Sequence, residues 1–457
     1  MSILLVDPPC GSRLWEPHSE HLGIGYLAAE LRQEGFDVEI LDAGLLRWGL
    51  RKTCREILKK APRILGISVV QPAVKNTLFI VKLLREKGLK SHICLGGHFP
   101  TLKTRVLLEN CPFVDSVVYG EGDITFPSLV RKILNNEDWQ KIKGIGFKKE
   151  GRVVINPPQS LVDDLDELPF PARDTLPLVL RWGRNSIVIS SKGCYGRCIF
   201  CGPRAFYDRC PGKKWRGRSA ENVLEELDYL HKNWGVEIVD FLDDNFFGPG
   251  EKGRKRVEDI AKGLIKKNIP VRFSIECRVD NVESSLFSLL KKAGLYEVRL
   301  GVESGVQRIL DKYQKDISVE DSKKAIQILR DLDIDCKIGF IPADPWMNFD
   351  EFLENGQFLR DLGSPAAFNI TRLSVVAGTL LEEILRKEGK LIERSFYEFD
   401  YRFSDSKVKV IYSIYRVIQI IQNLYHRLIS RIDIGMRDFK YHFKKGKSAD
   451  STFFADQ

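Results

Sequence analysis

Short runs of apolar and β-branched residues alternate with amphipathic stretches from the start of the chain to about residue 390. A strand followed by a helix buries both of its faces only by returning beside its predecessor, so this alternation confines the chain to a parallel α/β architecture. In residues 1–150 the strands fall at Ile3–Val6, Val38–Leu41, Ile64–Val70, His92–Leu95 and Ser116–Tyr119, with helices that include Leu22–Glu34 and Asn76–Lys87. This pattern predicts a Rossmann-like, doubly wound parallel sheet. Residues 151–185, with Pro157, Pro158, Pro169, Pro171 and Pro177 and little periodicity, read as a linker. The alternation then resumes at wider spacing over residues 186–390. Strands at Ile187–Ser190, Ile238–Asp243, Arg272–Glu276, Glu297–Val302, Cys336–Ile341 and Phe368–Leu373 predict a partial (β/α)6 barrel. Residues 391–457 read as a small, mainly helical C-terminal region, with Ile411, Ile414, Ile418, Ile421, Tyr425 and Leu428 at helical spacing.

In both architectures ligands gather at the carboxyl ends of the strands. In the first domain those ends carry Ser68, Val70 and Gln71, then Gly96, Gly97 and His98, then Gly120, Glu121 and Gly122. Glycines there let a large flat ligand lie against the backbone.

The second domain concentrates its chemistry in one loop. Cys194, Cys198 and Cys201 lie within eight residues directly after a predicted strand, with Phe200 before the last of them. The chain has 10 cysteines, but Cys10, Cys54, Cys94, Cys111, Cys210, Cys277 and Cys336 are scattered, most beside apolar residues, as small buried hydrophobes are. Three thiolates on a four-iron cluster leave one iron open to a substrate or cofactor, whereas closed sites use four ligands. Structural zinc also uses four, commonly as two separated pairs, and neither a second cysteine pair nor a nearby histidine is present.

The Cys-x3-Cys-x2-Cys spacing resembles the radical S-adenosylmethionine (SAM) superfamily, and the resemblance runs over about 200 residues, from Ser186 to Lys390. It implies that Cys194, Cys198 and Cys201 hold a 4Fe-4S cluster whose open iron binds SAM. Phe200, Asp243 and Asp244 of the Asp240–Asn245 segment, Arg278, Glu303 with Ser304, and Gly339 with Ile341 fall where the family contacts SAM. The loop from Pro342 to Asn348 departs from the family pattern over the expected substrate entrance. The first domain is similar to the cobalamin-binding domain that precedes many radical SAM methylases. On that resemblance Ser68, Val70, Gln71, Gly96, Gly97, His98, Gly120, Glu121 and Gly122 bind cobalamin, with Val70 and Gln71 facing the cobalt. An Asp-x-His-x-x-Gly signature is absent, so no histidine is expected on the lower face of the corrin.

These likenesses imply methylation of an unactivated carbon, with one SAM supplying the methyl group by way of cobalamin and a second supplying a 5′-deoxyadenosyl radical. Two alternatives stay open: radical chemistry without methylation, with cobalamin absent or a redox relay, and a cluster-bearing sensor. The substrate class is open among small molecules, peptides and lipid precursors. A reducing partner such as flavodoxin or ferredoxin is implied.

Composition narrows the setting. At 43% hydrophobic and 29% charged residues the chain is globular, not disordered. The N-terminus starts at once as a strand without a signal peptide, and Val410–Leu428 is broken by Arg416, His426 and Arg427, so a cytoplasmic protein without a transmembrane segment is expected. Of the net charge of +9, residues 402–447 carry eleven Lys or Arg against three Asp or Glu. Without aromatic residues interleaved as in a nucleic-acid platform, this basic region is read as a solvated surface, and nucleic acid is not an expected partner.

Overall fold

The structure is a computed structural model that describes residues 2–10, 19–363, 367–370, 372–415 and 417. Its first sheet contains β1 (Ile3–Asp7), β2 (Val38–Asp42), β3 (Ile64–Ser68), β4 (His92–Gly96), β5 (Ser116–Val118), β6 (Ile145–Lys149) and β7 (Arg152–Ile155). The spatial order is β2-β1-β3-β4-β5-β6-β7. The first five strands are parallel, as expected. Successive residues of β1 serve opposite faces. Leu4 and Val6 pack with Cys54, Ile57 and Ile80, while Ile3 and Leu5 pack with Ile24, Ala28 and Phe126. A strand covered on both sides needs such a continuous apolar run.

Two features of this domain differ from the sequence expectation. β6 and β7 add an antiparallel hairpin at one edge, so the sheet is mixed and continues past residue 150 into the proline-rich segment. That segment also holds a helix at Leu176–Arg181. The apolar pattern does not mark this hairpin, because β7 is only half-buried and has no clean two-residue alternation.

The second domain has six parallel strands: β8 (Ser186–Val188), then, past a β9–β10 hairpin (Ser191–Gly193 and Trp215–Gly217), β11 (Ile238–Phe241), β12 (Arg272–Arg278), β13 (Leu295–Glu303), β14 (Asp335–Phe340) and β15 (Ala367–Ile370). They lie side by side in chain order, β8 at one edge and β15 at the other, as an open barrel wall. The run read as one strand, Ile187–Ser190, stops at Val188. The cysteine loop instead follows β9, which pairs antiparallel with β10.

The C-terminal region is not purely helical. Leu391–Ser395 and Glu398–Tyr401 form a hairpin, β16 and β17. Residues 406–415 are helical, but their buried face is Val408 and Tyr412, packed on Ala343 with Phe349, Phe352 and Phe403 beside them, while Ile414 is exposed. What the helix packs against, and not its apolar spacing alone, chose the face. Ile418, Ile421, Tyr425 and Leu428 lie outside the described residues.

Buried ion pairs join the domains. Arg216 meets Glu121, Lys192 meets Asp123 at 2.9 Å, and Arg173 bridges Glu20 at 2.8 Å and Glu226 at 2.7 Å.

Candidate active site

The cysteine loop is anchored by its one buried apolar residue. Ile199 is buried against Val306, Tyr313 and Ile341. Its amide donates to the Tyr313 carbonyl at 3.0 Å, and its carbonyl accepts from the Leu381 amide at 2.9 Å. Phe200 meets the Tyr313 ring edge-on, with centroids 5.3 Å apart. At the loop's entry Gly193 has φ +88°, and a Cβ there would lie 1.9 Å from the Lys214 carbonyl oxygen, so only glycine fits beneath β10.

With Ile199 turned inward, Cys194, Cys198 and Cys201 are all free and half-buried. The Gly196 amide donates to Cys194 Sγ at 3.3 Å. Burial pushes the Cys194 and Cys201 thiols up, and Cys198 acts on both in the same direction. Neighbouring thiols on one short loop suit a positively charged inorganic group that removes their protons. Among the described residues no three His, Cys, Asp or Glu side chains converge as a single metal ion requires. A four-iron cube takes its thiolates at separate corners, and the donor set fits that group.

The two adjacent aspartates expected to bind SAM have different jobs. Asp243 is buried, and Oδ1 accepts from the Ser190 and Ser191 amides at 2.7 and 3.0 Å while Oδ2 accepts from the Ser190 hydroxyl. It holds the entry to β9 and has no free face. Asp244 opens on a cavity, one oxygen accepts from the Gly193 amide at 3.1 Å, and burial raises its pKa to about 6. Ser304 is likewise committed: its hydroxyl donates to Asn355 Oδ1 at 3.0 Å and accepts from the Val306 amide. Arg278 lies against the cysteine loop, its guanidinium 5.5 Å from the Tyr195 ring centroid. Glu303 has φ +67°, at an irregularity in the β13–β14 pairing, and meets Lys315 at 2.9 Å. Such strain in a non-glycine residue persists only where the surroundings impose it, and it tends to mark functional sites. Gly339 pairs with Gly301, and the Ile341 amide donates to the Glu303 carbonyl, so Glu303, Gly339 and Ile341 lie together at the ends of β13 and β14.

A cavity of about 380 Å³ opens between the domains. On one side it meets Ser68, Val70, Gly96, Gly97, Gly120 and Gly122; on the other, Lys192, Tyr207, Leu242 and Asp244. Gln71 is not part of it. Its side chain turns away, accepting from the Ala377 amide at 2.8 Å and donating to the Tyr397 carbonyl at 3.1 Å. Glu121 lies at the rim but is held by Arg216. The glycines also differ in what they do. Gly97 and Gly120 have φ +96° and +81°, and a Cβ on Gly120 would lie 2.4 Å from Cys210 Sγ, so the turn itself demands them. Gly96 is different: a Cβ there would make only an ordinary contact with Val118, at 3.7 Å. Strand-end glycines bordering a mostly apolar cavity leave room for a large flat ligand, with Ser68, Val70 and Gly96 on its wall.

Two histidines reach this cavity. His98 packs on Phe206 with centroids 4.7 Å apart, and burial together with His21 pushes its pKa down to about 4. His21 starts the helix Leu22–Gln33, its Nδ1 accepting from the Ile24 amide at 3.2 Å. His21 and Lys192 were not foreseen as lining residues. Lys192 lies within the cysteine motif, but Asp123, its partner, comes from the other domain.

Residues 188–371 match the model of the radical SAM superfamily, and residues 17–130 match that of the B12 binding domain. An uncharacterized methyltransferase of Pyrococcus horikoshii is 31% identical over 352 residues, which are 76% of this chain and 74% of that protein. The chain belongs to the cobalamin-dependent radical SAM family. An anaerobic magnesium-protoporphyrin IX monomethyl ester cyclase of Synechocystis is 27% identical, over 72% of this chain and 66% of the cyclase. The solved structure of the cobalamin-dependent SAM radical enzyme OxsB, with aqua-cobalamin and SAM bound, shares the fold, with a TM-score of 0.76 at 23% identity. It covers 88% of this chain and 64% of OxsB. As a cobalamin-dependent radical SAM enzyme, the chain uses a 4Fe-4S cluster, SAM and cobalamin. Among the described residues no helix is long and apolar enough to cross a membrane.

Proposed function

We propose that this chain methylates an unactivated carbon of its substrate, with SAM as the source of both the methyl group and the radical. The observation that carries the reading is the single cavity that reaches from Gly96 and Gly97 to Asp244 beside the cysteine loop. A methyl donor and a carbon radical must come within bonding distance, and a shared cavity brings them together without a domain movement. When bound, cobalamin would supply the methyl group, and the cluster with SAM would supply the radical.

The chain's own residues orient the reactants and keep water out. Asp244 has one carboxyl oxygen held by the Gly193 amide, which leaves the other to receive the ammonium group of SAM. Lys192 is drawn to the wall by Asp123 and by the Tyr26 ring, 5.3 Å away. With that charge tied down, Ile24, Val118, Phe126, Ile189 and Leu242 leave a mostly apolar lining, in which a carbon radical meets few alternatives to the methyl group. The substrate is a small molecule, peptide or lipid precursor, and the electron comes from a carrier of the flavodoxin or ferredoxin class.

The test uses anaerobic protein reconstituted with iron, sulfide and hydroxocobalamin, then given SAM and a low-potential reductant. Methylation requires S-adenosylhomocysteine, the remnant of SAM that has lost its methyl group, together with 5′-deoxyadenosine. Formation of 5′-deoxyadenosine alone overturns the methylase reading. It would favour the second one, radical chemistry without methylation, to which the likeness to the Synechocystis cyclase lends support.

A further inference from the structure

We infer that Lys315 sets the reduction potential of the cluster: its buried ammonium group, carried on a segment fastened to the cysteine loop, raises the potential at which the cluster accepts an electron. This rests on the cluster held by Cys194, Cys198 and Cys201 and is independent of methylation.

The segment around Lys315 is fastened to the cysteine loop. The Tyr313 carbonyl accepts from the Ile199 amide at 3.0 Å, and Asp316 pairs with Arg197 at 3.2 Å. Arg278 donates from Nη2 to the Lys315 carbonyl at 2.9 Å, and its Nη1 lies 2.8 Å from where a Cβ on Gly196 would sit. The backbone of Lys315 therefore moves with the loop. Its side chain runs inward, is only 7% exposed and ends 2.9 Å from Glu303. A Cβ on Gly301 would lie 2.7 Å from Lys315 Nζ, so the glycine on β13 leaves the space the ammonium group occupies.

Burial works against this charge, but the Glu303 carboxylate 2.9 Å away favours it, and Lys315 stays protonated. Reduction adds one negative charge to the cluster. A cation in a poorly screened interior stabilises the reduced form more than the oxidised one, and net charge near a cluster is one of the controls on its potential. Glu303 acts in the opposite sense. The electron comes from the low-potential carrier, no bond is made or broken at Lys315, and its proton stays in place.

The experiment compares wild-type protein with Lys315→Met, Lys315→Arg and Glu303→Gln, each reconstituted anaerobically and assayed for four irons. Redox titrations without SAM are then followed by the electron paramagnetic resonance of the reduced cluster. Lys315→Met should lower the one-electron reduction equilibrium about tenfold, which corresponds to about 59 mV. Lys315→Arg should stay near wild type, and Glu303→Gln should raise the potential. Potentials unchanged in both Lys315→Met and Glu303→Gln, or shifted in the same direction, overturn the inference. If Lys315→Met assembles no cluster, Glu303→Gln decides alone, and only a rise supports it. A wild-type protein without four irons would instead remove the cluster assignment on which the inference stands.

Discussion

Glu121, at the end of a strand in the first domain, and Arg216, on a hairpin of the second, meet through two parallel hydrogen bonds of 2.7 and 2.8 Å, with both side chains almost fully buried. The pair lies at the rim of the interdomain cavity and holds the glycine loops opposite Asp244. Removing one partner strands the other as a buried charge, at a cost of about 3–5 kcal/mol. Glu121→Ala should therefore lower the denaturation midpoint sharply, whereas Glu121→Leu combined with Arg216→Met should recover much of the loss. Equal stability of the single and double variants in urea unfolding would show that the pair is not coupled.

Replacing Cys194, Cys198 or Cys201 by Ala should abolish the cluster and all SAM cleavage. Cys54 and Cys111 are buried among apolar side chains of the first domain, and their replacement should leave iron content at wild-type level. Iron and sulfide analysis with 5′-deoxyadenosine assay checks both, and iron for two clusters in the wild-type protein would contradict the assignment.

The neighbouring aspartates should separate cleanly. Asp244→Asn weakens SAM binding roughly tenfold or more by calorimetry, with the cluster retained. Asp243→Asn gives up charge-assisted hydrogen bonds to two amides, each worth about 1.5–3 kcal/mol, and lowers stability instead. Matching phenotypes in the two variants would refute the division.

Gly96→Val should reduce retained cobalamin several-fold while leaving stability and cluster absorbance near wild type, because Gly96 lines the cavity and a Cβ there meets only Val118, at 3.7 Å. Gly120→Ala should destabilise the fold itself, by about 1–2 kcal/mol or more for the left-handed backbone alone. Bound Co(II) cobalamin should show no nitrogen superhyperfine splitting. If splitting appears, its loss in His21→Ala or His98→Ala would identify the ligand.

A pH effect should arise at Asp7 and Asp42, carboxyls buried together at the ends of β1 and β2, both raised to about 7, chiefly by burial. In the unfolded chain they ionise near 3.8. Between these values the folded chain holds more protons, so this pair makes stability fall as pH rises from about 4 to 7. Asp42→Asn keeps the acceptor for the Leu45 amide and offers a donor to Asp7, and so should be more stable than wild type at pH 8 but not at pH 4. An identical pH profile in unfolding titrations would remove the pair as the cause.

The six barrel strands, the five parallel strands and the three thiols were legible in the chain because each is a local signal. Apolar runs record burial on both faces, and the cysteine spacing is set by one short loop. The β6–β7 hairpin, the face chosen by residues 406–415 and the opposite fates of Asp243 and Asp244 were not legible, because each depends on what another segment presents. The same holds for the cavity. Lys192 finds Asp123, and Glu121 finds Arg216, across a domain boundary, and only there do the strand-end glycines come to face Asp244. Local periodicity carries no information on such partners, since contacts between residues tens of positions apart are chosen by how the two finished domains pack.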